Sequence, residues 1–170
     1  MMIQLRRPEA KDKEQVLSLM AEFEVDQASH DGGFWDKSNF DYDRWLTNNL
    51  MSEAGIDLPD GWVPSIQLVS FDEKNRAIGF LNLRLRLNDY LKRQGGHIGY
   101  CIRPSMRGKG FAKEQLRLGL DWAKSKNITS LLVTCHQTNV ASRAVILANG
   151  GIFEDCQDGI ERYWIEVGYE

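Results

Sequence analysis

Between Tyr100 and Ala112 the chain passes from an apolar run into a helix through Arg103-Pro104-Ser105-Met106-Arg107-Gly108-Lys109-Gly110. The apolar run, His97 to Ile102, reads as a strand. Ala112, Leu116, Leu120 and Ala123 then recur at helical spacing, so the helix is predicted to run to about Ser125. A strand that enters a helix through a turn with two glycines limits what the turn can be for. Gly108 and Gly110 remove the side chains that keep a ligand off the backbone, and the helix start offers unpaired N–H groups at the positive end of its dipole. Arg107, Lys109 and Lys113 add positive charge. A pyrophosphate cradle is the expected use, with a glycine-rich connection carrying solvated basic residues as the alternative. The segment fits neither the phosphate loop Gly-x-x-x-x-Gly-Lys-Ser/Thr nor the dinucleotide fingerprint Gly-x-Gly-x-x-Gly.

The rest of the chain supplies a frame for this turn. Ile3 and Leu5 alternate with polar neighbours up to Pro8, as in a short strand, and Val16, Leu17, Leu19, Met20 and Phe23 mark an amphipathic helix over Glu9 to Val25. Tyr42, Trp45, Leu46 and Asn49 suggest a second helix. Ser65 to Phe71 and Ala77 to Leu87 flank a polar turn and read as a hairpin, in which Leu81, Leu83, Leu85 and Leu87 put one face against a core. Asn88 to Gly96 reads as a connection. After the central helix, Ser130 to Cys135 reads as a buried strand, Val140 to Ala148 as a helix ended by Asn149-Gly150-Gly151, and Ile152 to Cys156 with Glu161 to Val167 as a closing hairpin. The order is β-α-α-β-β-β-α-β-α-β-β. This predicts an α/β sandwich: a mixed, mostly antiparallel sheet of about seven strands flanked by about four helices. One domain is expected over residues 1–170, a length at which a core closes without disulfides or metal.

Charge is distributed unevenly. Glu9 to Asp60 holds 13 acidic and 4 basic residues, whereas Lys92 to Lys126 holds 9 basic and 2 acidic. A basic segment in a chain of net charge −3 points to a specific anionic ligand, not to nucleic acid, which asks for a broad basic face. No run approaches the length of a membrane helix, and Met1 to Pro8 lacks the pattern of a signal peptide, so a cytoplasmic protein that binds neither membrane nor nucleic acid is expected. Cys101, Cys135 and Cys156 are an odd number, better suited to reduced thiols than to a disulfide framework. Cys135-His136 has no second pair at metal-ligand spacing, and no metal is expected.

Arg107-Gly108-Lys109-Gly110-Phe111-Ala112 resembles the Arg/Gln-x-x-Gly-x-Gly/Ala motif of the GNAT superfamily of N-acetyltransferases, and Asn139-x-x-Ser142 resembles that family's second motif. Asn88-Asp89-Tyr90-Leu91, Gly95 to Tyr100 and Arg162 to Ile165 are similar to a bacterial group of predicted acetyltransferases of unnamed substrate. The resemblance implies acetyl-CoA as co-substrate, without metal. Cys101, Ile102, Arg103, Arg107, Gly108, Lys109, Gly110, Phe111, Ala112, Asn139 and Ser142 would hold it in a splay between the strands ending at Ile102 and His136. It implies direct acetyl transfer to a primary amine, a small molecule in preference to a peptide, with a backbone N–H near Cys101 or Ile102 facing the developing oxyanion. A homodimer is left open.

His97 stands where many relatives carry a glutamate base, and its imidazole suits that work at neutral pH; a packed histidine is the other reading. The family's tyrosine acid is replaced by Ile146, which leaves Tyr163 as acid or as wall residue. Cys101 lies roughly 13 Å along the strand from His97, too far for a Cys–His pair, and reads as a core thiol. Carboxylates between Asp26 and Asp60, and Asp89, are candidates for steering a cationic amine, with a solvated face as the bland counterpart. Trp35, Trp45 and Trp62 read as packing residues. Two other functions stand beside acetyl transfer: a catalytically silent acyl-CoA-binding module, motivated by Ile146, and a domain gated by a nucleotide.

Overall fold

The computed structural model describes residues 2–168. Seven strands and five helices follow one another as β1 (Gln4–Arg6), α1 (Lys13–Val25), α2 (Tyr42–Glu53), β2 (Ser65–Phe71), β3 (Ala77–Arg84), α3 (Asp89–Arg93), β4 (Ile98–Ile102), α4 (Phe111–Ser125), β5 (Ser130–His136), α5 (Val140–Ala148), β6 (Ile152–Gln157) and β7 (Ile160–Glu166). The predicted order holds, with one helix more. That helix, α3, falls in the segment expected to be a connection. Its five residues are too few for a periodicity signal, and it is started by Asn88, whose side chain accepts from the Leu91 amide at 2.9 Å.

The strands form two antiparallel sheets, β1-β2-β3-β4 and β5-β7-β6, where one mixed sheet of about seven strands was expected. They touch at one end of β4. The His97 amide donates to the Leu132 carbonyl at 2.8 Å, the Leu132 amide donates to His97 Nδ1 at 2.9 Å, and the Gly95 amide donates to Thr134 Oγ1 at 2.9 Å. Gly96 makes the approach feasible: a Cβ there would lie 2.4 Å from the Leu132 carbonyl oxygen. From this junction β4 and β5 diverge, so neither pairs with the other toward Ile102 and His136.

Two cores lie on opposite faces of the first sheet. Ile66, Leu68, Leu81, Leu83 and Ile98 pack with Leu116 and Ala123 of α4 and with Leu131, Val133 and Ile165 of the second sheet. Val69, Phe71, Phe80 and Cys101 pack with Val16, Leu19, Phe23, Tyr42 and Trp45 of α1 and α2. Trp35 and Trp45 belong to this second core, as expected of packing residues, whereas Trp62 is exposed. Gln115 fastens α4 to the sheet from within: fully buried, it donates to the Phe80 carbonyl at 2.9 Å and accepts from Ser70 Oγ. The hairpin strand predicted to reach Leu87 ends at Arg84: Pro64, before β2, accepts from the Leu85 amide at 2.9 Å but has no N–H to continue the ladder, and the chain then turns toward α3. Among the described residues no helix is long and apolar enough to cross a membrane, and no group of three or more His, Cys, Asp and Glu residues could hold a metal ion.

Candidate active site

The divergence of β4 and β5 opens a cleft of about 1640 Å³. Pockets for one drug-sized ligand run to about 1000 Å³, so this one has room for two reactants side by side. Its two halves differ in chemistry. One half is built from the end of β4, the Gly108–Lys113 turn, His136, Asn139, Ser142 and Val145; the other from the Gln27–Phe34 loop, Asp60 to Val63, Ser65, Asn82, Arg84, Tyr90 and Gly95.

The first half is an anion cradle. Gly108 and Gly110 have φ values of 76° and 85°, in the left-handed region that glycine enters without strain, and Gly110 caps α4. A Cβ on Gly108 would meet no atom within 4 Å, so the backbone here is open to the cleft. Arg107 and Lys113 line it, and Arg107 Nε donates to the Ile102 carbonyl at 3.0 Å. Opposite, Asn139 caps α5 by accepting from the Ser142 amide at 3.0 Å, and Ser142 Oγ lies 2.9 Å from the Tyr100 hydroxyl. Burial pushes the Tyr100 phenol up to about 12, so it stays protonated and able to donate.

The strand register identifies which amides face the splay. The Arg84 backbone amide donates to the His97 carbonyl and the Arg103 backbone amide to the Ile78 carbonyl, which fixes the alternation along β3 and β4. Cys101 and Gly99 therefore exchange bonds with Phe80 and Asn82, while the amides of Tyr100 and Ile102 point away from β3 into the opening. Of the two amides expected near the reacting carbonyl, that of Ile102 faces the opening and that of Cys101 does not; the Tyr100 amide faces it too.

Cys101, Ile102, Arg107, Gly108, Gly110, Phe111, Ala112, Asn139 and Ser142 all line the cleft. Several other residues singled out in the sequence do not. The Arg103 side chain turns to α1, where it bonds Glu22 at 3.0 Å and the Ala77 carbonyl at 2.9 Å. Neither Lys109 nor Asp89 is among the lining residues, although Tyr90, beside Asp89, is. His97 is buried in the junction between the sheets; Nδ1 is held by the Leu132 amide, and burial with the nearby Arg84 charge lowers its pKa to about 4. Tyr163 is buried between Val133 and Phe153, and its hydroxyl donates to Glu161 Oε1 at 3.1 Å. Ile146 is fully enclosed in the core. Burial raises the Cys101 thiol to about 12, which leaves it inert as a nucleophile.

Sequence reasoning missed Arg84 and the side chain of Tyr100, and it held Asp31 only as one of the carboxylates between Asp26 and Asp60. Asp31 sits on a loop pressed onto β4: a Cβ on Gly32 would lie 2.2 Å from the Gly99 carbonyl oxygen. Asp31 is exposed and lines the cleft with Arg84 and Tyr100. Many other carboxylates of the acidic segment are occupied elsewhere: Glu22 with Arg103, Glu53 with Arg7, Glu24 with the Trp35 indole, and Asp41 as the cap of α2.

An acetyltransferase (GNAT) domain model matches residues 3–152. No curated protein matches the chain significantly. Similar solved structures include yncA of Salmonella typhimurium with its cofactor acetyl-CoA (16% identity, 99% of this chain and 95% of that one, TM-score 0.62). The ribosomal-protein-S5-alanine acetyltransferase of Vibrio fischeri is similar at 16% identity, 95% and 90% coverage and a TM-score of 0.67. The spermidine/spermine N-acetyltransferase SpeG of Vibrio cholerae is similar at 18% identity, 98% and 95% coverage and a TM-score of 0.61.

Proposed function

The chain belongs to the GNAT acetyltransferase family, and on that premise we propose that it transfers the acetyl group of acetyl-CoA directly to the primary amine of a small molecule. The observation that carries this reading is the paired construction of the cleft, an anion cradle at Gly108–Lys113 continuous with a polar second compartment at Asp31, Asn82 and Arg84. Acetyl-CoA supplies an activated acyl group on a thiol leaving group. The chain's own residues do the rest. Gly108, Gly110 and the first amides of α4, with Arg107 and Lys113, fit the pyrophosphate. The Ile102 or Tyr100 amide receives the carbonyl oxygen as negative charge grows on it. The Tyr100 hydroxyl, paired with Ser142, donates a hydrogen bond toward the departing sulfur.

An ammonium acceptor must lose a proton before its nitrogen can attack. Asp31, exposed at the cleft mouth, offers that proton a route to solvent, and it is better placed than His97, whose Nδ1 is already held. The new N–C bond forms as the C–S bond breaks; the nitrogen sheds a second proton, the thiolate takes one up, and one proton is released per turnover.

Incubation with acetyl-CoA and an amine panel, with free thiol followed by a chromogenic reagent, tests the reading. Thiol release that depends on an amine is expected. Tight CoA binding without amine-dependent release would instead favour the silent acyl-CoA-binding module that Ile146 suggested.

A further inference from the structure

Arg84 is the one guanidinium or ammonium group that the described residues place in the acceptor half of the cleft. It ends β3 opposite Ser65, on the same face as Asn82, and it forms the floor. Its guanidinium lies across Gly99, where a Cβ would come 3.2 Å from both Nη1 and Nη2. Nη1 donates to the Gly95 carbonyl at 3.1 Å, and none of the ion pairs among the described residues includes Arg84. Burial depresses the Arg84 pKa, with the Asp31 charge acting the other way. A partly buried cation without a direct counter-ion is open to an anionic ligand, and a guanidinium's parallel N–H pairs match a carboxylate.

Asp31 is its natural complement, yet the two do not form an ion pair. The Gly32–Gly99 contact seats the Asp31 loop on β4, and Asp31 and Arg84 line one compartment without pairing. Phe34 and Trp62 stand at its mouth, rings 5.6 Å apart and both about half exposed. Resting on the acetyl-transfer reading above, we propose that the acceptor is an amino-carboxylate, a free amino acid with an apolar side chain. Arg84 grips the carboxylate, Asp31 receives the ammonium, and the side chain lies against Phe34 and Trp62. A polyamine would bring positive charge to Arg84, and a peptide N-terminus would bring an amide in place of the carboxylate.

The test compares phenylalanine, phenylalaninamide, phenethylamine and spermidine as acceptors by thiol release. Phenylalanine is expected to exceed the other three at least tenfold in kcat/KM. Arg84→Gln should erase that preference while CoA affinity stays the same, and Arg84→Lys should restore part of it. Equal or better turnover of the amide, the decarboxylated amine or spermidine overturns the proposal, as does an unchanged preference in Arg84→Gln. Calorimetric titration of phenylalanine into the protein–CoA complex gives a readout that does not need turnover. If no amine is acetylated, the transfer reading fails on its own; binding of phenylalanine that weakens at least tenfold in Arg84→Gln still supports the carboxylate site, and binding that is absent or unchanged removes it.

Discussion

At the residue scale, alternation along β3 tells which side chains share a face but not what covers the face. Leu81 and Leu83 are fully buried, as the pattern Leu81-Asn82-Leu83-Arg84 predicts. Asn82 is nearly as buried, because the polar face is roofed by the 27–34 loop and becomes the floor of the cleft. Nothing local in Asn82 or Arg84 reports that roof, which is why the acceptor compartment was not legible. His97 shows the converse: its residue type suggested a base, whereas the strand-end contacts with Leu132 make it a structural tie. Its pKa of about 4 carries a sign. The fold holds His97 neutral and the unfolded chain protonates it near 6.5, so its contribution is fully present above that value and is lost as pH falls toward 4. The cost by pH 4.5 is on the order of 2–3 kcal/mol. Burial works to raise the pKa values of Asp12, Glu22 and Asp72, but their hydrogen bonds and arginine partners lower all three overall. Urea unfolding at pH 7.5 and 4.5 should show a steeper loss in the wild type than in His97→Asn, which can still accept from the Leu132 amide; parallel losses would refute the assignment.

At the element scale, what was legible was what repeats. The periods of α1, α2, α4 and α5 and the apolar runs of the strands gave the element order, and the Gly108–Gly110 turn gave the cradle. Short or non-local features were not legible: α3 has a cap but too little length, and the break between β4 and β5 depends on contacts from Gly95, Gly96 and His97 across to another sheet. The turn before α4 separates stability from binding. With φ at 76° and no neighbour within 4 Å of its Cβ, Gly108 pays only backbone strain when substituted, about 1–2 kcal/mol. Gly108→Val should therefore leave a folded protein with a modestly lower melting temperature, while CoA affinity, read by calorimetry, falls tenfold or more because the new side chain fills the cradle. Loss of stability with unchanged affinity would place the CoA phosphates elsewhere.

At the scale of the whole molecule, the cleft is where the two sheets would separate. They are tied at one end through His97, Gly95 and Gly96, and α4 packs on α5; toward Ile102 and His136 the strands face open space. A ligand threaded through that opening touches the β4–α4 turn on one side and Asn139 and Ser142 on the other, so it adds the cross-link that the strands lack. A ligand bound only by the folded state at about 100 times its Kd contributes about 2.7 kcal/mol. For a chain of this size each kcal/mol shifts the melting temperature by roughly 2–4 °C, so CoA should raise it by about 5–10 °C. ATP shares the adenosine and phosphates but has no arm to pass between β4 and β5, and at equal concentration it should give a much smaller rise. Differential scanning fluorimetry with CoA and ATP in parallel decides between them. A rise with ATP that matches CoA would mean that the cradle alone is the binding site and would favour a nucleotide-gated domain, whereas a rise confined to CoA means that the splay itself takes part in binding.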